Sequence, residues 1–80
     1  MLQAAQIRAA RALLGWRQIE LAQAAGVGLA TVARIEQGKG AVQGNVSTIV
    51  KLQTTLEKAG IAFTGDGATF GVEYRSLVTF

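Results

Sequence analysis

Residues 18–37 read QIELAQAAGVGLATVARIEQ, and this stretch decides the fold. Leu21, Ala25, Val27, Val32 and Ile35 stand where two short crossing helices must share a core. Gly26 falls between the two apolar sets, where the chain has to turn sharply. Ala22 lies four residues before that glycine, where only a small side chain lets the second helix come close. A corner of this kind holds one helix proud of the surface.

Upstream, residues 3–14 read as a first helix. Ile7, Ala10, Arg11 and Leu14 recur at i, i+3, i+4 and i+7, and Gly15 suits the position just past a helix end. The second helix covers residues 18–25. Trp16 and Leu21 occupy the two positions of a hydrophobic staple, and Glu20 fills the third helical position of a capping box. Its cap is Arg17, which has no acceptor oxygen and should give about 1 kcal/mol less than a serine. The third helix is expected over residues 29–37, between Gly28 and Gly38. Residues 38–44 contain three glycines and read as a mobile loop. Asn45 is a good cap for a fourth helix over residues 46–59, whose apolar stripe is Ile49, Leu52 and Leu56.

After Gly60 the period changes. Ile61 and Phe63 alternate with Ala62 and Thr64, then Phe70, Val72 and Tyr74 alternate with Gly71, Glu73 and Arg75, around the turn signal GDG at 65–67. This is the pattern of a β-hairpin. A lone hairpin is marginal in water, so it must pack on the helices or on a second copy. The expected architecture is mainly α: four helices over residues 1–60, then a hairpin or strand with a tail over 61–80 that serves dimerisation through Phe70, Val72, Tyr74, Leu77, Val78 and Phe80.

Eighty residues read as one domain, and no sensor or cleavage domain is expected. Half the chain is hydrophobic, but one Trp, one Tyr and three Phe cannot build a large core. With neither Cys nor His, thiolate and imidazole metal sites are excluded, a nucleophile–base pair would need Ser47 or a Thr with a Lys, and nothing in the sequence places such a pair in a pocket, so no catalytic constellation emerges. The expectation is a non-enzyme with no cofactor and no metal. No apolar run is long enough to span a bilayer, and the N-terminus lacks a signal-peptide pattern. Net charge is +3, and six of the eight basic residues precede residue 52 against only Glu20 and Glu36 there. The positive field belongs to the helical part, a mild tilt toward polyanions.

With those features in place, the chain resembles the Cro and C1 type helix-turn-helix regulators, which include lambdoid phage repressors. The likeness covers about residues 3–59 and rests on IRAARALLGWRQIELAQAAGV, TVARIEQGKG and NVSTI. It implies a transcriptional regulator that reads double-stranded DNA as a homodimer on a palindromic operator, with the third helix in the major groove. By the same resemblance Gln18 touches the DNA backbone and braces the reading helix, while Arg11 and Glu36 form an internal ion pair. Arg34, on the outer face opposite Val32 and Ile35, is the base-reading candidate, because a guanidinium fork matches guanine O6 and N7. Gly28, Leu29, Ala30, Thr31, Ala33 and Gln37 complete that face. Relatives often carry glutamine, serine or asparagine here, so direct readout should be thin and DNA shape should contribute more. Lys39, Arg17, Gln43 and Asn45 are placed near phosphates, whereas Arg8 and Lys51 read as solvated charges and Trp16 as core.

Two rival classes follow from the same residues. The apolar outer face suits a protein-interaction module, and the hairpin suits an antitoxin gripping its toxin. RNA polymerase or a regulatory protein would be a further partner. The resemblance also implies a cytoplasmic protein of bacterial, phage or other mobile-element origin.

Overall fold

The computed structural model describes residues 2–66 and 68–75. Four helices, α1 (Ala4–Leu14), α2 (Gln18–Ala25), α3 (Leu29–Gln37) and α4 (Val46–Lys58), are followed by strands β1 (Ile61–Gly65) and β2 (Phe70–Tyr74). The mainly helical architecture with a C-terminal hairpin is therefore the one the patterning implies. Leu77, Val78 and Phe80 lie outside the described residues.

Each helix boundary has a local cause. Gln3 is extended, so α1 begins one residue later than the periodicity suggests, and the Gln6 side-chain oxygen accepts the Gln3 amide at 2.8 Å. Gly15 and Gly26 both sit at φ 70°, the left-handed conformation that closes α1 and α2. Across the second of these turns the Val27 amide donates to the Ala22 carbonyl at 3.0 Å, which folds the chain directly into α3. Asn45 accepts the Ser47 amide at 2.8 Å and caps α4. α3 ends differently: Gly38 has φ −63°, so no left-handed residue turns back over its last carbonyls.

A single core joins the four helices and β1. Ile7 and Ala10 from α1, Leu21 and Ala22 from α2, Val32 and Ile35 from α3, Leu52 and Leu56 from α4 and Ile61 from β1 are buried together. Leu2, Leu14, Trp16, Ala25, Val27, Val42 and Phe63 pack around them. The alanines set the spacing, since Ala10 is wholly buried and Ala22 is 2% exposed at the α2–α3 crossing.

The glycine-containing segment after α3 differs from the free loop its composition suggests. The Ala4 amide donates to Gly40 at 2.9 Å, the Val42 amide donates to Leu2 at 2.8 Å, and Gln3 bridges Ala41. The N-terminal residues thus hold the loop as a short antiparallel strand would. Its backbone groups find partners in the chain rather than in water.

β1 and β2 pair antiparallel with Ile61 opposite Tyr74, Phe63 opposite Val72 and Gly65 opposite Phe70. The connection is an Asx-type turn: Asp66 Oδ1 accepts the Ala68 and Thr69 amides, both at 3.1 Å. Those amides, Thr69's first, hold the Asp66 carboxyl below its ordinary pKa. α1 grips the hairpin through Gln6, which is 4% exposed. Its amide nitrogen donates to the carbonyls of Thr64 at 2.9 Å and Gly71 at 2.8 Å, one on each strand.

Gly60 joins α4 to the hairpin at φ 108°, and a Cβ there would lie 2.4 Å from the Arg75 carbonyl oxygen. At Gly26 a Cβ would meet nothing within 4 Å, so only the backbone conformation is at issue. We therefore expect Gly26→Asn to cost about 1 kcal/mol or less, and Gly60→Ala about 1–3 kcal/mol or more. Urea midpoints of the two variants check the order.

Candidate nucleic-acid interface

Glu36 organises the corner. Its side chain is only 3% exposed, yet every acceptor position facing inward has a donor. Arg11 Nε lies 3.0 and 3.2 Å from the two carboxylate oxygens, and Arg11 Nη2 lies 2.9 Å from Oε1. Gln18 Nε2 adds a fourth bond to Oε1 at 3.2 Å. Arg11 Nη1 meanwhile donates to the Trp16 carbonyl at 2.9 Å. One carboxylate and one guanidinium therefore connect α1, the α1–α2 turn, the start of α2 and the end of α3.

The α3 surface divides cleanly. Val32, Ile35 and Glu36 face inward at 0, 5 and 4% exposure. Ala30, Arg34 and Gln37 are exposed on the opposite stripe, flanked by half-buried Thr31 and Ala33, with Leu29 45% exposed and Gly28 open at the start. The ion pairs among the described residues are Arg11–Glu36, Arg17–Glu20 and Arg75–Glu73, which leaves Arg34 and Lys39 without a carboxylate. α3 also begins without a side-chain cap, so the amides of its first turn point outward unpaired by a side chain. A positive helix end and an exposed guanidinium on one stripe suit a polyanion.

The other expected contact residues fall into two groups. Gln43 and Lys39 are exposed on the loop that follows α3. Arg17 and Asn45 already have intramolecular work. Arg17 Nε pairs with Glu20 Oε1 at 3.1 Å, and Glu20 also accepts the Arg17 amide at 2.8 Å. That amide first, and the guanidinium second, hold the Glu20 carboxyl below its usual value. Asn45 spends its side-chain oxygen on the Ser47 amide, leaving only its NH2 for a phosphate.

Arg8 departs from the solvated charge that its position suggests. Arg8 Nη1 donates to the Glu36 carbonyl and, at 3.4 Å, to Gly38, covering the end of α3 that Gly38 leaves open. The cation also meets the negative end of the helix dipole there. Neither this role nor that of Gln6 is marked by a local motif. Their only sequence trace is spacing: Arg8 lies one turn before Arg11 on α1, and Gln3 and Gln6 are i, i+3.

A family model described as Helix-turn-helix matches residues 7–58, 52 of the 80 residues. The match begins within α1 and ends at the last residue of α4, so it spans the whole arrangement around Glu36. The chain belongs to this family, the Cro and C1 type of helix-turn-helix DNA-binding regulators. A search of curated proteins found no match to the chain. No helix among the described residues is long and apolar enough to cross a membrane.

Removing Arg11 leaves a buried carboxylate with Gln18 alone, whereas removing the Glu36 charge leaves a guanidinium that is 23% exposed and still bonded to Trp16. Arg11→Met should therefore cost about 3–5 kcal/mol, and Glu36→Gln less, about 1–3 kcal/mol. Chemical denaturation of both variants tests this asymmetry; equal losses would contradict it.

Proposed function

We propose that the protein is a sequence-specific regulator that binds double-stranded DNA as a homodimer, with α3 of each copy in the major groove of a palindromic operator. The observation that carries this reading is Arg34, without a carboxylate partner among the described residues, on the exposed stripe of a helix whose rotation is locked by Glu36. Arg34 reads a guanine, Lys39 and Gln43 contact phosphates, and Leu29, Ala30 and Ala33 meet thymine methyl groups. Gln18, Arg17, Gly28, Thr31 and Asn45 complete the surface against the backbone, and Gln37 stands beside Arg34 toward the base edges. One such helix offers too few contacts for specific affinity, and two copies about a two-fold axis span half-sites one helical turn apart.

The hairpin supplies the dimer contact in this reading. The Arg75 amide bonds Gly60 and the Asp66 amide bonds Thr69, so alternation along the ladder directs the Phe70, Val72 and Tyr74 amides away from β1. Among the described residues the sheet has two strands, and that outer edge of β2 has no strand beside it. Two β2 edges pairing antiparallel about Val72 would place Phe70, 53% exposed, beside the partner's Tyr74, 45% exposed in the isolated chain. Leu29 supports a second reading, a protein-binding α3, since an apolar side chain stands exposed at the start of the helix.

Mobility shifts against DNA flanking the gene decide between the two. DNA binding should weaken steeply with salt. Arg34→Ala should cost about 1–3 kcal/mol and relax preference at one base pair, whereas Lys39→Ala should weaken all sequences alike and lower the salt slope by about one. Equal loss on specific and random DNA from Arg34→Ala would remove its base-reading role, and no shift at all favours the protein-binding reading.

Val72→Pro tests the dimer separately, because proline removes an edge amide that the hairpin itself does not use. Sedimentation should show a monomer that keeps its helical circular dichroism and loses affinity for a two-half-site operator. An unchanged dimer mass would exclude edge pairing.

A further inference from the structure

Contacts to DNA do not account for a buried glutamine that spans two strands. The Gln6 Oε1 accepts the Gln3 amide at 2.8 Å, and Nε2 donates to the Thr64 carbonyl at 2.9 Å and to the Gly71 carbonyl at 2.8 Å. Thr64 and Gly71 stand directly opposite each other on β1 and β2. Both hydrogens of the side-chain amide are thus committed to one rung of the hairpin. We propose that Gln6 is a positioning residue that fixes the angle between the hairpin and the reading corner, and so sets the half-site spacing that the dimer accepts. This role rests on the edge-paired dimer proposed above.

Packing alone leaves that angle open. Ile61, at the start of β1, is the one buried residue of the two strands, while Thr64, Gly65 and Phe70 at the turn end are exposed. Apolar burial therefore holds the hairpin near Gly60 and leaves its far end free to swing, because burial follows area and has no direction. Two hydrogen bonds from one planar amide to carbonyls on different strands do have direction, and they act toward the far end. α1 carries this grip to the reading helix, since Arg11 on the same helix holds Glu36 of α3. The contact also belongs to this chain in particular: the family match over residues 7–58 includes neither Gln6 nor the hairpin.

Small angles matter at the distances involved. Half-sites one helical turn apart place each α3 about 17 Å from the two-fold axis. A pivot of ~10° there displaces α3 by about 3 Å, close to the rise of one base pair, and the second copy adds its own displacement. A hairpin free to swing accepts operators that a fixed one rejects.

The probe is the operator that the full chain selects from random duplex DNA, with versions carrying one base pair more or less at its centre. The unaltered chain should bind those versions at least about tenfold more weakly, because the duplex must deform to meet a fixed dimer. Gln6→Glu keeps an oxygen for the Gln3 amide but turns a carboxylate toward the two carbonyls, and Gln6→Met removes the donor without adding charge. Both variants should stay dimeric in sedimentation and bind DNA bearing a single half-site within about twofold of the unaltered chain. Their spacing penalty should fall to about threefold or less. Asp66→Ala loosens the turn without touching the grip, and should keep the full penalty. A flat spacing profile in the unaltered chain, or an undiminished penalty in the Gln6 variants, would overturn the proposal. So would a flattened profile in Asp66→Ala or Gln6 variants found monomeric, since either reduces Gln6 to hairpin stability. Two other outcomes remove the underlying reading and this role with it: an unaltered chain that selects no operator, or a Val72→Pro chain of unchanged dimer mass.

Discussion

A buried carboxylate tolerates almost no freedom in its surroundings, and in this protein that intolerance fixes the reading corner. Apolar contacts between α2 and α3 favour burial of Val32 and Ile35 without specifying direction, because the hydrophobic effect follows area. A guanidinium fork is directional. With Arg11 on both oxygens of Glu36 and Gln18 on one of them, α3 cannot roll or slide without stranding a charge. Glu36 lies two residues from Arg34 and one from Gln37, so the bond that fixes the inner face also fixes the outer one. Glu36 therefore links a scaffold demand to a functional one.

The same device recurs in weaker form wherever the small core runs out. An interior of alanines and a few branched residues buries too little area to hold peripheral segments by packing alone. Long polar side chains on α1 compensate by reaching main-chain carbonyls. Gln6 bonds one carbonyl on each strand of the hairpin, and Arg8 bonds the carbonyls at the end of α3. α1 is thus the organising helix. Its apolar stripe faces the core, and Gln6, Arg8 and Arg11 beside it fasten the hairpin, the end of α3 and the corner.

This pattern explains what the sequence disclosed and what it did not. Gly15 and Gly26 announce helix ends because a left-handed residue is a local requirement, and Asn45 announces a start because the capping oxygen is an equally local one. The hairpin was legible in the alternation of Ile61–Phe63 and Phe70–Val72–Tyr74, a backbone periodicity. Arg8 and Gln6 were not, because partners 28 and 58–65 residues away in sequence leave no local signature. The segment 38–44 misled for a related reason. Three glycines describe the freedom of an isolated loop, whereas Leu2 and Ala4, from the far end of the sequence, set its hydrogen bonds. The outer stripe of α3 was legible as a face, since helical period alone separates it from Val32 and Ile35, but period says nothing of what the face meets.

The composition of that stripe bears on how the proposed recognition would discriminate. Ala30 and Ala33 offer no donors, Leu29 offers only carbon, and Arg34 and Gln37 alone combine exposure with hydrogen-bonding reach to bases. Each good bidentate contact is worth about 1–3 kcal/mol of discrimination, so two such side chains per copy give limited direct selectivity. Small residues compensate through proximity, since a helix with alanines outward can sit deeper in the groove than one bearing long polar chains. Deeper seating brings the loop with Lys39 and Gln43 onto the backbone and makes binding sensitive to groove width and bending. On this account selectivity comes from the fixed geometry of two corners on a deformable duplex more than from a code of side chains. That is also why the rigidity Glu36 confers matters more here than in a reader with a richly polar face.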